Sequence, residues 1–298
     1  MTFLSGQVLA QNAERRYHVE IPADPVQERV PAIVVFHGGG QDVATIAGRW
    51  GVIPGTPTPA PLADYLLVFP EAHPLLNREW VHFQTGDSGF PTLDLDFVTA
   101  LLAELRTRSY PTGSAAVPGV SADPDRIYVA GFSNGAGMVW QLLNSDVSAE
   151  IRGYAAVGKV LDPEKADHYR SRLAAVGGTP AAAPVAYLQG TADHGFRPTF
   201  SAQESPLEET LPFFTLPQML TRNDVPPGPA ATTLVPGSDN VTEVVLQLFV
   251  GTAAYLHGTV VNGGHNWPTP TSRGNPPVAD HFDATRTIVE FWQAHAGL

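Results

Sequence analysis

The chain has no cysteine. That absence alone excludes disulfides, thiol nucleophiles and cysteine-held metals. Lysine is nearly missing as well, with only Lys159 and Lys165, and the arginines are scattered. Basic residues number 17 against 29 acidic ones, for a formal net charge of −12. Nucleic acid is therefore not an expected partner, because its phosphates would be repelled without a local basic patch. No run of about 18 apolar residues occurs, so no helical membrane span is expected. The opening MTFLSGQVLAQNAERRYHVEIP lacks a basic segment followed by an apolar stretch, and no signal peptide is read there. A cytoplasmic protein fits this, and so does a secreted one whose leader is absent from the chain. There is no H-E-x-x-H, and Asp193-His194 is an isolated His–carboxylate pair, so neither a metal nor a cofactor is expected.

What is present is ample apolar material, 43% of 298 residues, enough for a buried core. Short β-branched runs alternate with helical patterns, which predicts an α/β fold with a mostly parallel central sheet and helices on both faces. Strands are expected over 32–36 (AIVVF), 65–69 (YLLVF), 126–130 (RIYVA), 154–157 and 185–188. RYHVEIP alternates and reads as an edge strand, and 232–261 reads as a hairpin leading into a last strand. Helices are expected over 95–107, 134–143, 207–221 and 283–295, with Asp94 capping the first and Asp283 the last. No internal repeat or linker divides the chain, so residues 1–298 are read as one catalytic domain. Nothing in the sequence sets an oligomeric state.

Chemistry enters at VAGFSNGAGMVW, residues 129–140. The strand RIYVA runs into GFSNG, and a helix pattern follows at once. This is the setting a nucleophile elbow needs, with Ser133 raised above the sheet at a helix amino terminus. A serine nucleophile requires a base and a group to orient it, in the chain order Ser, acid, His. His265, in the glycine-rich loop VVNGGHNWP after a strand, is the favoured base. His168, His194, His257, His281 and His295 remain alternatives of lower standing. Asp193 is the favoured acid, because among the aspartates between Ser133 and His265 it alone directly follows a buried-strand pattern. HGGG at 37–40 follows another strand and supplies unhindered N–H groups for an oxyanion. Gly39 is the favoured donor there, Gly38 the next, and the N–H of Asn134 the partner donor. Trp80, Trp267, His194 and Phe196 are candidates for a substrate pocket, with packing in the core or a loop as the equal alternative for each aromatic. Asp94 and Asp96 read as helix-start residues that could also touch the site.

Together these blocks resemble the α/β-hydrolases, and more narrowly the polyhydroxybutyrate depolymerase and feruloyl esterase family, the LpqC-like group related to carbohydrate esterase family 1. The resemblance rests on HGGG, RIYVAGFSNGAGM, GTAD at 190–193, GGHNWP at 263–268, EWVHF at 79–83 and LDLDFVTALLAEL at 93–105. It implies a serine carboxylic-ester hydrolase working through an acyl-enzyme, with Ser133 as nucleophile, Asp193 as orienting acid and His265 as general base. Short-chain, hydroxyalkanoate-type or feruloyl and aryl esters are the implied substrates, as small molecules or oligomers. The chain lacks the oxyanion-loop cysteine and the polymer-binding domain found in many secreted members, which favours soluble esters or short oligomers over crystalline polyester. A serine peptidase of the same fold is the second reading. A non-catalytic ligand-binding homologue is the third.

Overall fold

Runs such as AIVVF and YLLVF are apolar at every position, so they are stable only where both faces of a strand are covered. The computed structural model describes residues 3–53, 55–81, 93–160, 182–193, 223–237, 242–270 and 279–296, and within them these runs form the middle of one large sheet. Its strands are β1 (Leu4–Ala10), β2 (Ala13–Glu20), β3 (Arg29–Phe36), β4 (Leu66–Pro70), β5 (Tyr110–Pro111), β6 (Gly119–Phe132), β7 (Gly153–Val157), β8 (Val185–Gly190), β9 (Ala231–Val235), β10 (Glu243–Phe249) and β11 (Tyr255–Val261). The order is β1-β2-β4-β3-β6-β7-β8-β11-β10-β9, with β5 pairing off the path against β6. The strands from β4 to β11 in this order are all parallel, and antiparallel strands extend the sheet on either side.

Side chains alternate across this sheet and build two cores. Val34, Val68, Val129, Ala156 and Tyr187 face one side, where α2 (Leu93–Thr107) and α3 (Asn134–Leu143) pack with Phe97, Leu101, Val139 and Trp140. Val35, Leu67, Phe132, Val157 and Leu188 face the other, where α1 (Val43–Arg49) and α4 (Ala284–His295) pack with Ile46, Ile288 and Trp292. The period of two in the strands thus divides the apolar residues between two helical layers. Asp283 caps α4 as expected, its side chain accepting from the Arg286 N–H at 3.0 Å.

Three expectations change. RYHVEIP is not the edge: β1 pairs outside it, and Tyr17 and Val19 of β2 are buried. Asp94 does not cap α2 but lies within its first turn, because a buried arginine holds its carboxylate. The strand read at 126–130 extends back to Gly119. The helix expected over 207–221 lies outside the described residues.

Candidate active site

Loops at the carboxyl ends of the parallel strands come together on either side of Ser133, His265 against Phe132 and Gly39 against Asn134. That serine sits between β6 and α3 at φ 54° and ψ −115°, a backbone conformation that costs a non-glycine residue about 1–3 kcal/mol. Its N–H donates to the Val157 carbonyl at 2.8 Å, which ties the turn to the end of β7. Gly135 explains how the turn reaches its neighbour. A Cβ there would lie 2.3 Å from the Phe36 carbonyl oxygen and 2.6 Å from that of His37. With no side chain, the first turn of α3 rests directly on the end of β3, and the HGGG loop comes beside the serine.

The expected acid and base, Asp193 and His265, follow the adjacent parallel strands β8 and β11. Gly190 makes their loops touch, since a Cβ on it would lie 2.2 Å from the Gly263 carbonyl oxygen. Two bonds stitch the loops together: Ala192 N–H to the Gly263 carbonyl at 2.9 Å, and Asn262 N–H to Thr191 Oγ1 at 2.8 Å. His265 Nδ1 then bonds Asp193 Oδ2 at 2.7 Å. Asp193 is buried, and the half-buried imidazole lies 4.8 Å, centre to centre, from the ring of Phe132, the residue before Ser133. A proton held on Nδ1 by the carboxylate makes Nε2 the basic nitrogen, the tautomer that a serine needs.

The other described histidines have different surroundings. His257 is buried inside β11 with Nδ1 against the Tyr255 hydroxyl at 2.8 Å, and burial lowers its pKa to about 4. His295 packs on Phe291 near the end of α4, and neither ring nitrogen of His281 has a hydrogen-bond partner among the described residues. His168, His194 and Phe196 lie outside the described residues.

In the HGGG loop the donors are already divided. The Gly38 N–H donates to Gln41 Oε1 at 3.2 Å, and the Gly40 N–H to the Arg78 carbonyl at 3.2 Å. Among the described residues the Gly39 N–H has no acceptor, and a Cβ on Gly39 would meet Asn134 Cβ at 3.4 Å. Gly39 therefore flanks the start of α3 with its donor uncommitted, while Gly38 serves the loop itself. The Gly38 carbonyl accepts from His37 Nδ1–H at 2.8 Å, a tautomer fixed by the Ala72 N–H donating to Nε2 at 3.2 Å. Burial lowers the pKa of His37 and keeps it neutral in this role. Arg49 completes the loop: its Nη1 donates to Gln41 Oε1 at 2.8 Å and its guanidinium lies 4.1 Å from the Phe132 ring centre. Burial lowers the pKa of Arg49 to about 10, leaving it a cation at neutral pH.

The expected pocket roles of Trp80 and Trp267 are corrected. Trp80 is 2% exposed, stacks on Phe97, and donates from Nε1 to the His37 carbonyl at 2.9 Å. Trp267 is fully buried against Trp50 and donates to Thr285 Oγ1 at 3.1 Å. Both brace the site's loops from within the core. Asp94 acts at one remove, accepting from Arg15 Nη2 and from the Val81 N–H, each at 2.6 Å. The adjacent Trp80 N–H donates to Asn134 Oδ1 at 2.6 Å, so this segment pins the side chain that follows Ser133. Asp96 instead accepts from Gln11 Nε2. Gln41, Arg49, Arg15 and Gln189 carry no motif signal; only side-chain contacts identify them. Among the described residues no three His, Asp or Glu side chains cluster as metal ligands, and no helix is long and apolar enough to cross a membrane.

No protein-family model and no curated protein matches the chain. Solved structures do resemble it. An S-formylglutathione hydrolase from Staphylococcus aureus matches at a TM-score of 0.56 and 10% identity, over 97% of this chain and 95% of its own. A ferulic acid esterase matches at a TM-score of 0.50 and 15% identity, over 89% of this chain and 92% of its own. This chain spans only 47% of a thermostable esterase that it matches at 17% identity, with 64% of this chain covered and a TM-score of 0.44. At such identities the likeness defines the fold alone, which is that of the α/β-hydrolases.

Proposed function

We propose that the protein is a serine carboxylic-ester hydrolase that works through an acyl-enzyme. The observation that carries this reading is the strained Ser133 beside a His265–Asp193 pair bonded at 2.7 Å. Ser133 Oγ attacks the ester carbonyl, and His265 Nε2 takes its proton and returns it to the leaving alcohol. The bond from carbonyl carbon to alkoxy oxygen breaks as the Ser133 ester forms. Water, deprotonated by His265, then releases the acid and frees the serine. Asp193 holds the imidazole in the required tautomer and offsets the charge of the imidazolium. The N–H groups of Gly39 and Asn134 stabilise the oxyanion, and the commitment of Gly38 to Gln41 favours Gly39 over its neighbour. Residues 1–298 act as one catalytic unit in this reading, and the substrates are small or oligomeric esters of short-chain, hydroxyalkanoate-type or aryl acids.

Ser133→Ala tests it. Turnover of p-nitrophenyl butyrate is expected to disappear with the circular dichroism spectrum unchanged, and a fluorophosphonate probe is expected to label wild type only. Unchanged turnover in the variant would overturn the assignment. Methyl ferulate, hydroxybutyrate oligomers and a peptide panel then separate the ester classes from amide cleavage.

A further inference from the structure

Gln189 is a polar residue in an otherwise apolar strand, 2% exposed, four residues before Asp193. Its amide is fully used. Oε1 accepts from the Tyr187 hydroxyl at 3.3 Å, while Nε2 donates to Asp193 Oδ2 at 2.7 Å and to the Gly190 carbonyl at 3.4 Å. Asp193 Oδ2 is the same oxygen that receives His265 Nδ1–H. Asp193 Oδ1 is buried and has no partner among the described residues. The carboxylate's charge is therefore steadied by two donors on one oxygen, and only the amide donor is independent of proton transfer.

We propose that Gln189 is a positioning residue for the reaction, setting the basicity of the Asp193–His265 pair, with Tyr187 fixing which way its amide faces. Tyr187, two residues earlier on β8, points to the same face and packs on Trp140 of α3. Its hydroxyl gives Oε1 a donor, so Nε2 is turned toward the carboxylate. The amide bond goes to the same carboxylate oxygen that holds the imidazole, so it tempers the pull on the imidazolium that forms when the base accepts a proton. Among the described residues, the other titratable groups facing this cluster from packed elements are Tyr255 and His257 on β11, with His257 in edge contact with Tyr187. His257 stays neutral above about pH 4, so it adds no charge in the working range. The proposal rests on the ester-hydrolase reading for its kinetic test, and has a spectroscopic test that does not.

Replacing Gln189 with leucine is expected to move the acid limb of kcat/KM upward by about one pH unit, because the donor that favours the ionised carboxylate is gone. Tyr187→Phe removes one hydroxyl and is expected to move the limb the same way by less, and the double variant should match Gln189→Leu rather than the sum. Proton NMR at low temperature reads the His265 Nδ1–H resonance, which is expected to move in both variants. An acid limb and a resonance that stay in place, even if melting temperature falls, would reduce Gln189 to a packing role and overturn the proposal. If Gln189→Leu does not fold, Tyr187→Phe decides by the same two readings. If wild type cleaves no ester, the functional reading fails, while the resonance shift still supports or sinks the role of Gln189.

Discussion

Two buried aspartates in this molecule have opposite uses. Asp94 is tied at both oxygens: one takes Arg15, the other takes the Val81 N–H, and the guanidinium opposite it lies against Phe97. Its partner is an arginine, a side chain whose charge is fixed. Asp193 stacks two donors on one oxygen, leaves the other without a partner among the described residues, and faces an imidazole whose charge can change. A carboxylate tied at both oxygens to fixed donors is a brace, whereas one with acceptor capacity in reserve suits a partner that gains and loses a proton.

The sharpest way to break that contrast is Asp193→Asn, expected to lower kcat by about 10⁴-fold through the wrong imidazole tautomer, measured on p-nitrophenyl butyrate. Urea unfolding of that variant should move by less than about 1 kcal/mol, because the amide fills the same space. Asp94→Ala should do the reverse. Leaving Arg15 buried without its counter-charge is expected to cost about 3–5 kcal/mol in urea unfolding. If the stability loss fell on Asp193 and the loss of rate on Asp94, the distinction would collapse.

His257 extends the comparison to the second buried histidine beside a polar partner. Its folded pKa of about 4 lies below the ordinary value of 6.5, so the unfolded chain binds more protons between those values. Stability should therefore rise with pH across that window, by about 3 kcal/mol in all, and be insensitive to this group above it. His257→Gln keeps a hydrogen-bonding side chain without the titration, and urea midpoints from pH 4 to 7 should flatten; an unaltered slope would place the effect elsewhere. The smallest effect is expected from Arg49→Met, which frees Gln41 from one of its two donors. A fall in kcat of about tenfold at unchanged KM would mark loosened oxyanion geometry, whereas a change in KM alone would assign Arg49 to ground-state binding.

The parallel strands and the elbow are legible in the sequence because their causes are local. A strand buried on both faces must be apolar throughout, and a strained serine needs glycine where backbones touch. The placement of His265 and Asp193 is legible too, since glycine-rich loops directly after buried strands can hardly lie anywhere but the sheet's carboxyl edge. The aromatic residues are not. Trp80 and Trp267 stand beside site motifs, yet a tryptophan next to a loop has the same sequence signature whether it lines a pocket or braces one from behind. The Arg15–Asp94 pair spans 79 residues and sits at ordinary-looking positions, so only the fold brings it together. Gln189 is hidden for another reason: one amide in an apolar run acquires meaning only through the atoms it touches.

The parallel pairing of β8 with β11 fixes an order of assembly. Asp193 and His265 are 72 residues apart, and the hairpin of β9 and β10 must be laid down between them. During synthesis the serine turn and the acid-bearing strand leave the ribosome well before the base does. Closing this last long-range pair is therefore a late event, because loop entropy must be met before its contacts form. Until β11 docks, the nascent chain holds the serine turn without His265, and under the proposed mechanism Ser133 then has no base.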